Sequence, residues 1–69
     1  MSVHDVLAQN MRSARKMRGW SQEDLAHESG IHRNYISDLE RAARNQTILI
    51  VERIAVAFGL RAADLIAKE

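Results

Sequence analysis

QEDLAHESGIHRNYISDLE, residues Gln22 to Glu40, reads as two short helices joined by a tight turn at Gly30. Leu25 and Ala26 lie on one face of the first, and Ile36 and Leu39, three apart, lie on one face of the second. Between them Ser29-Gly30-Ile31 supplies a helix stop, because glycine enters the left-handed conformation without a clash at Cβ. Ala26 is small where two helices cross closely, and Ile31 is placed to plug the angle between them. Two helices meeting steeply over a turn of about three or four residues make a helix-turn-helix.

The rest of the chain is short. Its 69 residues make a single domain, 1–69, near the lower end of what folds without help. Without cysteine there is neither a disulfide nor a thiolate metal site, which suits a reducing cytoplasm. No apolar run approaches a membrane span, and MSVHDV lacks the shape of a signal peptide. A net charge of +1 neither favours nor excludes nucleic acid, so a DNA-binding role requires basic residues arranged in space rather than in excess. Catalysis is not expected: there is no phosphate-cradling glycine loop, no nucleophile–base pair and little bulk to enclose a substrate. No cofactor or small-molecule ligand is expected either. The three histidines lack a carboxylate or cysteine at ligand spacing, so no metal site is expected.

Ahead of the central stretch, Ser2 and Asp5 form a capping-box-like pair opening a helix from about Val3 to Arg18, stopped by Gly19. Val3, Leu7, Met11 and Ala14 recur at helical spacing and are expected to face the core. Trp20 reads as a hydrophobic plug before the second helix. Ser21 caps that helix with Asp24 in support, which puts Gln22 at its first position, beside the positive end of the helix dipole.

The third helix is expected from His32 or Arg33 to about Arg41. Its outward face carries Arg33, Asn34, Ser37, Asp38 and Arg41. Arginine can take guanine O6 and N7 together, asparagine can pair with adenine N6 and N7, and an α-helix fits the major groove. Arg33 and Asn34, at the N-terminal end, are the expected base readers. Ser37 and Asp38 lie one turn further on, as base contacts or as groups that shape the surface. Asp38 is able to accept from cytosine N4 or to orient a neighbouring arginine. His32 is an N-cap or a phosphate neighbour. Tyr35 either offers its hydroxyl to DNA or caps the core.

Thr47 caps a fourth helix, Ile48 to about Phe58, which Gly59 stops; Ile48, Val51, Ile54, Ala55 and Phe58 form its inward stripe. That leaves Leu49, Ile50 and Val56. Leu49, Val56 and Leu60 line up at i, i+7 and i+11 on a second face, with Arg53 between the first two. A helix apolar nearly all round is buried on more than one side, most simply against a second copy of the chain. A fifth helix, Ala62 to about Lys68, adds Leu65 and Ile66; Arg61 stands where a capping residue is wanted, so its first turn is expected to fray.

Ala26, Gly30 and Ile36 stand four, eight and fourteen residues after Gln22, flanked by Leu25, Ile31 and Leu39. This spacing, extended by W-S-Q-E-D-L-A, G-I-H-R-N-Y-I-S-D-L-E-R and R-N-Q-T, resembles the phage-repressor (lambda/Cro, XRE) family along Arg12 to Leu65 without a gap. Among small members, the run H-R-N-Y-I-S-D-L-E-R-A-A-R-N most resembles controller proteins of restriction–modification systems.

The resemblance implies an all-α, five-helix lambda-repressor-like fold with the helix-turn-helix at about 21–41; the second apolar face of the fourth helix puts a dimerisation region at about 48–66, at positions where the family more often has polar residues. The resemblance also implies an architectural ion pair between Arg15 and Glu40. It further implies contacts to the DNA backbone from Gln22 and from the Arg44-Asn45 pair, with His32 and Tyr35 beside them. Family members usually carry glycine where Ala42 stands, so alanine there suggests a longer helix or a different turn. The expected function is that of a transcriptional regulator, working as a homodimer on a palindromic operator in the cytoplasm, at the nucleoid, of a prokaryote or on phage DNA. The dimer would use Leu49, Ile50, Arg53, Val56 and Leu60, and RNA polymerase is a further expected partner. Rival readings are a stand-alone phage-type repressor and an antitoxin or adaptor acting through another protein.

Overall fold

The computed structural model describes residues 2–67 and contains five helices: α1 Val3–Met17, α2 Gln22–Ser29, α3 Arg33–Glu40, α4 Ile48–Phe58 and α5 Ala62–Ile66. Side-chain caps open the first, second and fourth of them. Ser2 Oγ accepts from Asp5 N at 3.2 Å, Ser21 Oγ from Asp24 N at 3.0 Å, and Thr47 Oγ1 from Ile50 N at 3.2 Å. Each satisfies a backbone donor that the first turn of a helix leaves free. α5 opens differently. Arg61 supplies no side-chain cap; Asp64 reaches back and accepts from Arg61 N at 2.9 Å. The first turn of α5 is therefore fastened, contrary to the expected fraying. At its other end Asn10 Nδ2 donates to Leu65 O at 2.6 Å and to Ala67 O at 3.1 Å. Ala67 is already extended, and Lys68, where this helix was expected to end, lies outside the described residues.

Leu7, Met11, Leu25, Ile36, Leu39, Ile54 and Leu65 are fully buried and draw all five helices onto one core. Two members of the expected stripes do not join it. Val3 and Ile48 are exposed, because each is the first residue of its helix and overhangs the end of the core. Val6 and Ala8 are buried in α1, so its apolar face is wider than the expected stripe. Trp20 stacks on Phe58 with ring centroids 5.6 Å apart. Arg18 lies over the Phe58 ring at 4.9 Å and donates to the Phe58 carbonyl, which closes the α1–α2 connection onto the end of α4. Among the described residues no helix is long and apolar enough to cross a membrane.

Candidate nucleic-acid interface

The α2–α3 turn is built as its residues dictate. Gly30 takes φ 71°, its N–H donates to Ala26 O at 2.9 Å, and Ile31 is buried in the angle. His32 then caps α3, its Nδ1 accepting from Asn34 N at 3.1 Å. This leaves Arg33 and Asn34 on the first turn of α3, both exposed. Among the described residues neither side chain is engaged in a hydrogen bond or an ion pair. They project from a helix whose opposite face, Ile36 and Leu39, is fixed in the core.

The far end of α3 is held by charge. Glu40 is only 3% exposed and accepts from Arg15 through both oxygens, Nε at 2.9 Å and Nη2 at 3.0 Å. Arg15 also donates to Trp20 O at 2.9 Å, and Arg12 donates to the Glu40 carbonyl. The hydrogen bonds from Arg15 to Glu40 raise the guanidinium pKa above its ordinary value. A paired fork of this kind matches carboxylate geometry and fixes direction as well as distance. Gln22 Nε2 joins the cluster, donating to Glu40 Oε1 at 3.2 Å. The Gln22 side chain thus points toward α3, while the N-terminus of α2 keeps backbone N–H groups that the helix itself does not use.

Between these ends, Asp38 is bracketed by two arginines. Its Oδ1 accepts from Arg41 at 2.6 Å and its Oδ2 meets Arg44 Nε and Nη2, both at 3.3 Å. The Arg41 hydrogen bond, aided by the positive fields of Arg41 and Arg44, holds the Asp38 carboxyl below its ordinary pKa. Arg44 lies over the Tyr35 ring at 4.4 Å, and the Tyr35 hydroxyl donates to Asn45 O at 3.5 Å. The expected backbone-contact residues Tyr35, Arg44 and Asn45 are therefore brought together beside α3. Arg41 was read as part of the outward face but not as a site residue. The signal for it was its i, i+3 spacing from Asp38.

Ala42 corrects another expectation. The helix does not run on: α3 ends at Glu40, and Ala42 itself takes φ 55°, the left-handed conformation that glycine adopts without strain. The turn is the glycine turn, made with an alanine.

On the far side of α2, Leu49 and Val56 of α4 are 63% and 77% exposed, with Arg53 exposed between them. They line a shallow groove of about 250 Å³ whose other wall is Glu28 and Ser29 of α2. Ile50 and Leu60, expected on the same interface, pack partly against their own core.

A model of the helix-turn-helix family matches residues 11–65. A hypothetical transcription factor of Neisseria meningitidis is 44% identical over 61 residues, 88% of this chain; the chain spans 58% of that relative's length. Control protein C.SmaI of Serratia marcescens is 38% identical over 69 residues, covering 100% of this chain and 82% of that protein. Among solved structures, the restriction–modification controller protein C.Esp1396I, a tetramer in complex with its natural 35 base-pair operator, superposes with a TM-score of 0.83 at 29% identity. That match covers 99% of each chain.

Proposed function

Because the chain belongs to the helix-turn-helix family, in its phage-repressor (XRE) form, we propose that it is a sequence-specific DNA-binding regulator of transcription, of the restriction–modification controller type. The observation that carries the reading is the pair Arg33 and Asn34, exposed and unengaged on the first turn of a helix anchored at its other end. Both carry the hydrogen-bonding groups that read guanine and adenine in the major groove. Ser37 lies one turn further along the same helix as a further base contact. Register on the phosphates comes from Arg44, Asn45, Tyr35, His32 and the N-terminus of α2 at Gln22. Such contacts position a protein without reading sequence.

The chain acts as a homodimer in this reading, with the exposed Leu49 and Val56 face of α4 as the centre of the interface and Arg53, Ile50 and Leu60 at its margin. Two apolar side chains this exposed on one helix face favour a covered state. A two-fold dimer presents its two α3 helices to successive major grooves, so the operator is a near-palindrome with half-site centres about 34 Å apart or a multiple of it. Work at the nucleoid of a prokaryote or on a phage genome, with RNA polymerase as a further partner, follows from the same reading. The controller role rests on the relatives named as control or controller proteins.

Selection from a random-sequence duplex pool at near-physiological salt tests this directly. The expected result is an enriched palindrome that disappears for Arg33→Ala/Asn34→Ala; salt-sensitive binding with no enriched sequence would overturn sequence-specific readout. In sedimentation, Leu49→Glu/Val56→Glu should give monomers that bind the selected duplex weakly. A dimer that survives both glutamates would put the interface elsewhere.

A further inference from the structure

A carboxylate on the surface of a helix that faces a polyanion opposes binding through its charge unless that charge is used within the protein. Asp38 uses all of it. One oxygen is taken by Arg41 at 2.6 Å and the other by two nitrogens of Arg44 at 3.3 Å. Its backbone does the same for the main chain of the turn: the Asp38 carbonyl accepts from Ala43 N at 2.9 Å and Arg41 N at 3.3 Å. Asp38 and Tyr35 stand three apart on one face of α3, and Arg44 is held between the carboxylate of one and the ring of the other. The neighbouring residue, Asn45, is tied to the same tyrosine through its carbonyl.

Four side chains thus fasten the α3–α4 loop to α3, and Asp38 is the only anion among them. We propose that Asp38 is a positioning residue: it holds Arg44 against Tyr35, so that the loop and the reading end of α3 meet DNA as one rigid surface, instead of contacting a base itself.

The role has a signature that direct readout lacks. An untethered Arg44 is free to follow phosphates on any sequence, while the amide oxygen left by Asp38→Asn still accepts from Arg41. Freeing this one cation strengthens sequence-independent binding and its salt dependence, since an added phosphate contact steepens the slope of log K against log salt by about 0.9. Rigid placement, on the other hand, favours one register over others, so losing it lowers discrimination. Asp38 restrains general affinity and sharpens choice.

This inference rests on the DNA-binding function proposed above, and the experiment keeps the two apart. Binding of the wild type, Asp38→Asn, Arg44→Ala and the double variant is measured by titration across a salt series, on the duplex selected by the wild type and on a shuffled duplex. Asparagine keeps the shape of the side chain and one acceptor, so the fold is expected to persist; thermal unfolding monitors it. Asp38→Asn should lower the ratio of selected to shuffled affinity about tenfold, a loss comparable to one mismatched base pair. It should also tighten binding to the shuffled duplex and steepen its salt slope by about one. In the Arg44→Ala background the ratio should no longer respond to Asp38→Asn. A tenfold loss that persists without Arg44 would mean that Asp38 reads a base directly and would overturn the positioning role, as would no change in either background. If the wild type selects no sequence at all, the proposed function falls, and the role of Asp38 on DNA falls with it.

Discussion

At its N-terminal end α3 is held by a glycine turn and one histidine cap; at its C-terminal end it is held by two arginines of α1 and a glutamine of α2. The first arrangement takes its donors from the backbone, Gly30 N to Ala26 O and Asn34 N to His32 Nδ1, and leaves the side chains of Arg33 and Asn34 without a partner among the described residues. The second buries a carboxylate, Glu40, under Arg15 and Gln22 and continues into a turn through a left-handed alanine. On the proposed reading, the helix is fixed where it is not read and bare where it is read. Stability and recognition are therefore separable along only eight residues.

That comparison can be broken most forcefully at Glu40. Glu40→Ala leaves Arg15 largely buried with no carboxylate, a change that typically costs about 3–5 kcal/mol. Urea unfolding should show the loss, which is a large part of the total for a domain of this size. A midpoint close to the wild type would mean that the pair is ornamental.

The two turns should respond with opposite signs. An L-residue in the left-handed region costs about 1–2 kcal/mol, while replacing glycine by alanine recovers only about 0.4–1 kcal/mol from the unfolded chain. Gly30→Ala should therefore destabilise by roughly 1 kcal/mol, with no steric contribution, because a Cβ built there meets nothing within 4 Å. Ala42→Gly should stabilise by a similar amount, roughly 1 kcal/mol or less. Thermal unfolding of both variants checks the pair; equal signs would show that the two turns are not equivalent in strain.

The smallest expected effect is on acid stability. The folded-state pKa of Asp38 lies below its unfolded value, so its contribution is fully present above about pH 4 and is lost as the pH falls through the lowered value. The difference in urea midpoint between wild type and Asp38→Asn should be constant near neutrality and shrink toward pH 3. A difference that grows in acid would contradict the pairing with Arg41.

Where local chemistry decides the outcome, the sequence was legible. Ser2, Ser21 and Thr47 cap their helices, Gly19, Gly30 and Gly59 lie at or just beyond helix ends in the left-handed region, and Leu25, Ile36 and Leu39 are interior. The Arg15–Glu40 pair, 25 residues apart, was accessible only through family resemblance. What escaped notice was set by tertiary context. Periodicity assigns Val3 and Ile48 to a face but cannot show that the core stops short of the first turn. Nor does spacing reveal that Asn10 caps the end of α5, or that Arg12 and Arg18 direct their charges at the carbonyls of Glu40 and Phe58. Ala42 was misread because alanine favours helix, yet the turn after α3 overrides that preference. For the candidate site, the outward face of α3 was visible from its pattern, whereas the grouping of Asp38, Arg44 and Tyr35 depends on how the loop folds back.

The unengaged first turn of α3 also bears on descent. Exposed positions without partners tolerate substitution within about ±0.5 kcal/mol. With Arg33 and Asn34 as the proposed base readers, lineages could exchange the residues at these positions and arrive at new target sites, with every intermediate still folded. Copies that diverged in this way could serve side by side in one cell without cross-talk, each keeping the same scaffold.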